Sequence, residues 1–124
     1  MVNPAFFDFR PKATATNLLK KGKSVDGYTK TNPSVGAYER GDSIYWIPGR
    51  REVKASFPII PNEATVSADI DVLMWRPAYK AVEHQLYFGT DADKLETSGK
   101  FSAENNVFTL PKLVAGQKYF WRLD

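Results

Sequence analysis

Apolar residues are spaced differently in the two parts of this chain. From about residue 52 onward, short apolar runs alternate with turns rich in Gly, Pro, Asn and Asp. Residues 55–60, 71–76, 84–89, 106–110 and 118–123 read as strands, with 95–97 as a short edge strand. Turn-separated strands of this length predict an all-β sandwich. Before residue 52 the apolar positions are scattered. Phe6, Phe7 and Phe9 form an aromatic knot; Val35, Ala37 and Tyr38 make a small patch; Ile44 to Ile47 form a brief run. One helical turn over 17–21 is the only helical signal. Such a segment buries little apolar surface by itself and is expected to lie against something else.

Alternation along a strand sends successive side chains to opposite faces. Leu73 and Trp75 share one face, as do His84, Leu86 and Phe88, and Tyr119, Trp121 and Leu123. With Phe108, Leu110 and Leu113 these predict the sandwich core. Leu113, Gly116 and Tyr119 have the spacing of a tyrosine corner, in which the ring packs inward and the hydroxyl bonds a backbone group upstream in the turn. Glycine permits the tight turn.

The boundary falls at Pro48-Gly49-Arg50-Arg51, giving a loop-rich extension over 1–51 and a sandwich over 52–124. Charge divides there too. The extension has nine Lys/Arg against four Asp/Glu, the remainder eight against ten, and the net charge is +3. Lys20, Lys21 and Lys23, and Arg50 with Arg51, read as solvated loop and linker, or as a patch for an acidic polysaccharide. Nothing resembles a nucleic-acid recognition element, so nucleic acid is not expected as a partner. No run of about 18 apolar residues occurs, so no membrane helix is expected. The 0 cysteines exclude disulfides and thiolate metal sites.

Chemistry is sparse. His84 is the single histidine; it lies on an inward strand face without a serine or carboxylate at a motif-like spacing, which reads as a hydrogen-bonded core histidine. No catalytic residue and no cofactor are expected. Asp69/Asp71 and Asp91/Asp93 are paired carboxylates. Asp91 and Asp93 suit a polar turn, or a weak calcium candidate that lacks the distal glutamate of a full acidic loop. Sugars stack on exposed rings with polar groups beside them. Tyr45, Trp46, Tyr79 and Tyr87, with Arg76 and Lys80, are the glycan-binding candidates. Trp46 also suits packing at the junction of the two halves, and Tyr87 the outer face of its sheet.

Residues 58–124 resemble a fibronectin type III domain. The resemblance is carried by Pro61-Asn62, Asp71-Val-Leu-Met-Trp-Arg-Pro77, Tyr87-Phe-Gly-Thr-Asp91 and Leu113-Val-Ala-Gly-Gln-Lys-Tyr-Phe-Trp-Arg-Leu-Asp124. This version is similar to modules attached to extracellular bacterial carbohydrate-active enzymes. Residues 6–50 resemble the C-terminal tail of a parallel β-helix polysaccharide lyase or hydrolase, through Asp8-Phe-Arg-Pro-Lys12, Asp26-Gly-Tyr28, Asn32-Pro-Ser-Val-Gly-Ala-Tyr-Glu39 and Tyr45-Trp-Ile-Pro-Gly49. The resemblances imply an immunoglobulin-like sandwich without its last strand. They also imply a secreted or extracellular setting, at a bacterial surface or in the periplasm, and a catalytic domain preceding the chain.

Two functions follow as expectations. One is a non-catalytic accessory module (spacer, scaffold or weak glycan binder) of a polysaccharide-degrading protein. The other is a structural subunit that assembles by strand donation into an open sheet edge at Lys118, Phe120 and Arg122. That edge is expected to be covered by residues 1–51, a neighbouring chain, or sequence beyond this segment, because bare edges recruit partners.

Overall fold

A computed structural model describes residues 1–23, 32–35, 38–39 and 41–124. Asp26-Gly-Tyr28, Gly36 and Ala37 therefore lie outside the described residues. The chain forms two compact units, Met1–Asp42 and Ser43–Asp124. Residues 43–51 thus pack with the strands that follow them.

The first unit has little regular structure. A 3-10 turn at Pro4–Phe6 has proline where a missing N–H costs nothing. It closes a narrow loop in which Asn3 and Asp8 form an isolated antiparallel bridge. Asp8 and Arg10 are both buried and joined by a two-pronged ion pair of 2.9 and 2.7 Å. The planar guanidinium matches both carboxylate oxygens, which suits it to burial. Phe7 and Phe9 meet edge to face, their ring centroids 6.5 Å apart. The turn expected over 17–21 begins two residues early, where the Leu19 N–H donates to the Ala15 carbonyl.

The second unit is all-β. Its six strands are β1 (Ser56–Ile59), β2 (Val72–Arg76), β3 (Glu83–Gly89), β4 (Glu96–Ser102), β5 (Val107–Thr109) and β6 (Phe120–Leu123). They form two antiparallel sheets, ordered β1-β2-β5 and β4-β3-β6. β4 runs to Ser102 although its sequence, Glu-Thr-Ser-Gly-Lys-Phe-Ser, is mostly polar. Six residues of β3 pair with it, and backbone pairing stands in for apolar periodicity at a sheet edge.

Aromatic rings join the sheets. Trp75 of β2 lies 5.5 Å from Phe101 of β4 and 6.5 Å from Trp121 of β6, measured between ring centroids. Leu73, Trp75, Leu86 and Leu110 are buried, as their alternation predicts. β2 is buried on both faces, since Val72 and Met74 are sealed as well. Period-two reasoning gives it one buried face; a covered central strand buries two.

Residues 43–50 are tied down from two points. The Asn106 amide accepts from the Tyr45 N–H and donates to the Tyr45 carbonyl, each at 2.7 Å, and donates to the Trp75 carbonyl at 2.7 Å. One side chain thereby supplies the hydrogen bonds of a neighbouring strand. Arg76 donates to the Pro48 and Arg50 carbonyls. A Cβ at Gly49, where φ is 120°, would stand 2.5 Å from that guanidinium, so glycine is required there.

Candidate functional site

β6 is delivered by a hydrogen-bonded turn. Gly116, with φ 76°, allows the chain to reverse, and the Gln117 N–H donates to the Val114 carbonyl at 3.2 Å. The Val114 N–H donates to Tyr119 Oη at 3.0 Å, while the Tyr119 ring stacks on Phe88 at 5.4 Å with 11° between planes. The hydroxyl thus fixes the turn and the ring anchors the start of the strand inward.

Pairing places β6 at the rim of its sheet, with β3 on one side and no strand on the other among the described residues. Gln85 and Asp124 exchange two backbone hydrogen bonds of 2.9 Å, which makes them a hydrogen-bonded pair of the ladder. Arg122 opposite Tyr87 and Phe120 opposite Gly89 follow at intervals of two. Their N–H and C=O groups therefore point at β3. The backbone groups on the open side belong to Trp121 and Leu123 instead. Of the expected edge residues, Phe120 and Arg122 lie on the strand's outer face and contribute side chains, while Lys118 precedes the strand. The Lys118 ammonium sits 5.2 Å from the Phe120 ring centroid, and Arg122 lies 4.3 Å over Tyr87 while pairing with Asp124. That pairing raises the Arg122 pKa further above its ordinary value.

Behind the open side lies a groove of about 1020 Å³. It is lined by Ser56 and Pro58 of β1, by residues 60–68 that follow it, by the 113–117 turn and by β6. Its floor is the sandwich interior: Leu73, Trp75, Phe88 and Leu110. Phe88, Leu113, Tyr119, Trp121 and Leu123, all expected in the core, are only half-buried, and all five line this groove. They point inward as alternation requires, and Ile60 and Val66 pack with Phe88, Leu113 and Trp121 around Ile70, Leu73 and Leu110, but the groove leaves all five half-buried.

The β1 rim is irregular. Its register with β2 slips between Ser56 and Ile59, Pro58 gives the ladder no donor, and Phe57 and Ile60 have φ of 48° and 64°. A β-branched residue in that conformation is strained. Two polar atoms of groove residues, Ser56 Oγ and Trp75 Nε1, are buried without a hydrogen-bond partner among the described residues.

The glycan candidates do not form one site. Tyr45 is 5% exposed, so its ring is not offered to a sugar. Arg76 is spent on the Pro48 and Arg50 carbonyls and stacks 4.8 Å over Phe57. Tyr87 has its outward face under Arg122. Trp46 and Tyr79 are 69% and 61% exposed, with the Lys80 ammonium 5.3 Å from the Tyr79 ring centroid. Asp91 accepts from the Asp93 N–H at 3.0 Å, an Asx turn that uses the carboxylate locally. Among the described residues no group of three or more His, Asp or Glu gathers to hold a metal.

His84 is buried as expected, yet its Nε2 has no hydrogen-bond partner among the described residues. Burial lowers its pKa, and the Arg51 charge lowers it further. Arg51 itself forms a two-pronged pair with Glu104 at 2.9 and 2.8 Å. Of the basic clusters, Lys20, Lys21 and Lys23 belong to the first unit and Arg50 and Arg51 to the second.

Sequence reasoning missed Trp121 and Leu123 as the edge donors and acceptors, because which backbone groups face outward depends on the β3 register. Asn106 was missed because a buried asparagine next to Asn105 carries no periodic signal. Comparison with protein-family models, curated proteins and solved structures gives no match for the chain.

Proposed function

We propose that this chain is a non-catalytic assembly module whose open β6 edge accepts a β-strand from another polypeptide. The groove behind β6 carries the reading, since it is lined by residues whose alternation marks them for a closed interior. Unpaired edge groups bring hydrogen bonds to a partner, and an apolar trough takes alternate side chains. The strand order supports an immunoglobulin-like sandwich of fibronectin type III kind, in which a further strand lies beside the one that β6 represents. Sedimentation across a concentration range tests the proposal. Assemblies larger than the 14.0 kDa chain are expected, with apolar-dye binding falling as they form. A monomer that keeps binding dye at every concentration contradicts it.

A second reading, an accessory module of an extracellular polysaccharide-degrading protein, is supported by the exposed rings of Trp46 and Tyr79. Glycan-array binding lost in Trp46→Ala or Tyr79→Ala is the expected result; no binding by the parent chain contradicts the glycan-binding form of it.

A further inference from the structure

The exposed rings of Trp46 and Tyr79 leave the kind of glycan open, and the charges on the segments that carry them select one. The unit Ser43–Asp124 holds ten Lys/Arg and ten Asp/Glu, so it has no net charge. Its cations are nonetheless gathered. Residues 46–57 and 76–80 contain Arg50, Arg51, Lys54, Arg76 and Lys80, half of the unit's cations, and a single carboxylate, Glu52.

The fold brings these two segments together. The Tyr79 N–H donates to the Glu52 carbonyl at 2.7 Å. Arg76 donates to the Pro48 and Arg50 carbonyls, and its guanidinium lies 4.8 Å over the Phe57 ring. Ser56 and Arg76 are partners across the β1–β2 ladder. Bonds to neutral carbonyls orient the Arg76 guanidinium without cancelling its charge. Arg51 is neutralised by Glu104. Among the described residues Arg50, Lys54, Arg76 and Lys80 are in no ion pair. The same two segments expose three rings, Trp46, Phe57 and Tyr79.

We infer, on the glycan-binding reading above, that this surface takes a carboxylated polysaccharide, a polyuronate. Sugars lay their apolar faces on exposed rings, and cations beside the rings take the carboxylates as charge-assisted hydrogen bonds. Two of the unpaired cations, Arg50 and Arg76, are guanidinium groups, whose planar fork matches both oxygens of a carboxylate. Charge density separates this ligand from other polyanions. Domains that bind nucleic acid are basic as a whole, whereas this unit is neutral. A densely sulfated chain sets several anions against each ring, more than the unpaired cations here can match, and Glu52 repels the excess.

Titration calorimetry of the full chain with polygalacturonate and with its methyl ester tests the inference, with a thermal melt to show that each variant folds. The ester keeps the sugars and loses the charge, and is expected to bind roughly tenfold more weakly than the acid. Arg50→Gln and Lys80→Gln should each weaken binding of the acid about threefold, the worth of an exposed ion pair. Lys94→Gln, in the connection between β3 and β4 of the other sheet, removes the same charge and should leave binding unchanged. Equal binding of acid and ester overturns the inference while the glycan-binding reading stands. Equal weakening by Lys94→Gln, or tighter binding of dextran sulfate or single-stranded DNA than of polygalacturonate, also overturns it. No binding to any polysaccharide overturns both.

Discussion

Trp121 lies 6.5 Å from Trp75 across the two sheets, yet only Trp75, 1% exposed, is sealed from solvent. The two indoles belong to one interior and differ in what lies beyond them. Trp75 is on the central strand of its sheet and Trp121 on a rim. That difference predicts unequal substitution costs. Trp75→Ala should cost about 3–5 kcal/mol, as for a fully buried aromatic, and Trp121→Ala clearly less at concentrations where the chain is monomeric. Denaturant unfolding of both variants checks this, and equal costs would mean that Trp121 is already enclosed.

Asn106 should be the most sensitive polar position. Truncation to alanine removes the bonds to the Tyr45 N–H, the Tyr45 carbonyl and the Trp75 carbonyl, at about 1–3 kcal/mol for each buried bond lost. Asn106→Asp should do no better despite its shape. It keeps the acceptor for the Tyr45 N–H but turns a carboxylate toward two carbonyls that the amide satisfied. Urea midpoints of the two variants, compared with the parent chain, measure the effect.

Tyr119→Phe isolates the hydroxyl from the ring. The stack on Phe88 survives, while the bond from the Val114 N–H is lost. A loss of about 1 kcal/mol in unfolding free energy is expected, the usual worth of one hydrogen bond. No loss would show that the turn holds its shape without the hydroxyl.

Stability should fall in mild acid because of His84. Its folded pKa lies below the ordinary 6.5, since burial at 3% exposure and the Arg51 charge disfavour the imidazolium. Below that ordinary value the unfolded chain binds a proton that the folded chain resists, so protonation favours unfolding. The stability contributed by neutral His84 is fully present above about pH 6.5 and declines as pH drops toward the lowered folded value. Thermal melts from pH 7.5 to 5 should show the decline, and His84→Phe should remove most of it. An unchanged slope in that variant would assign the effect elsewhere.

Much of the sandwich was legible in the sequence. Short apolar runs between turns located five of the six strands and only the start of β4, alternation gave the inward residues Leu73, Trp75 and Leu86, and the Leu113–Gly116–Tyr119 spacing anticipated the hydroxyl bond to the turn. What escaped depends on pairing rather than pattern. The length of β4 is set by β3, and both faces of β2 are buried. Tyr45 looked like a surface ring because a single distant side chain, Asn106, draws its backbone into the interior. The open edge was anticipated at Lys118, Phe120 and Arg122. The register moves its backbone groups one residue along, to Trp121 and Leu123.

Amide hydrogen exchange at individual residues of β6 tests the central claim most directly. With the edge occupied at high concentration, the Trp121 and Leu123 amides should exchange as slowly as that of Arg122, which is bonded to β3, and dilution should release the first two while leaving Arg122 protected. Trp121 and Leu123 amides that exchange rapidly at every concentration, beside a protected Arg122, would contradict it.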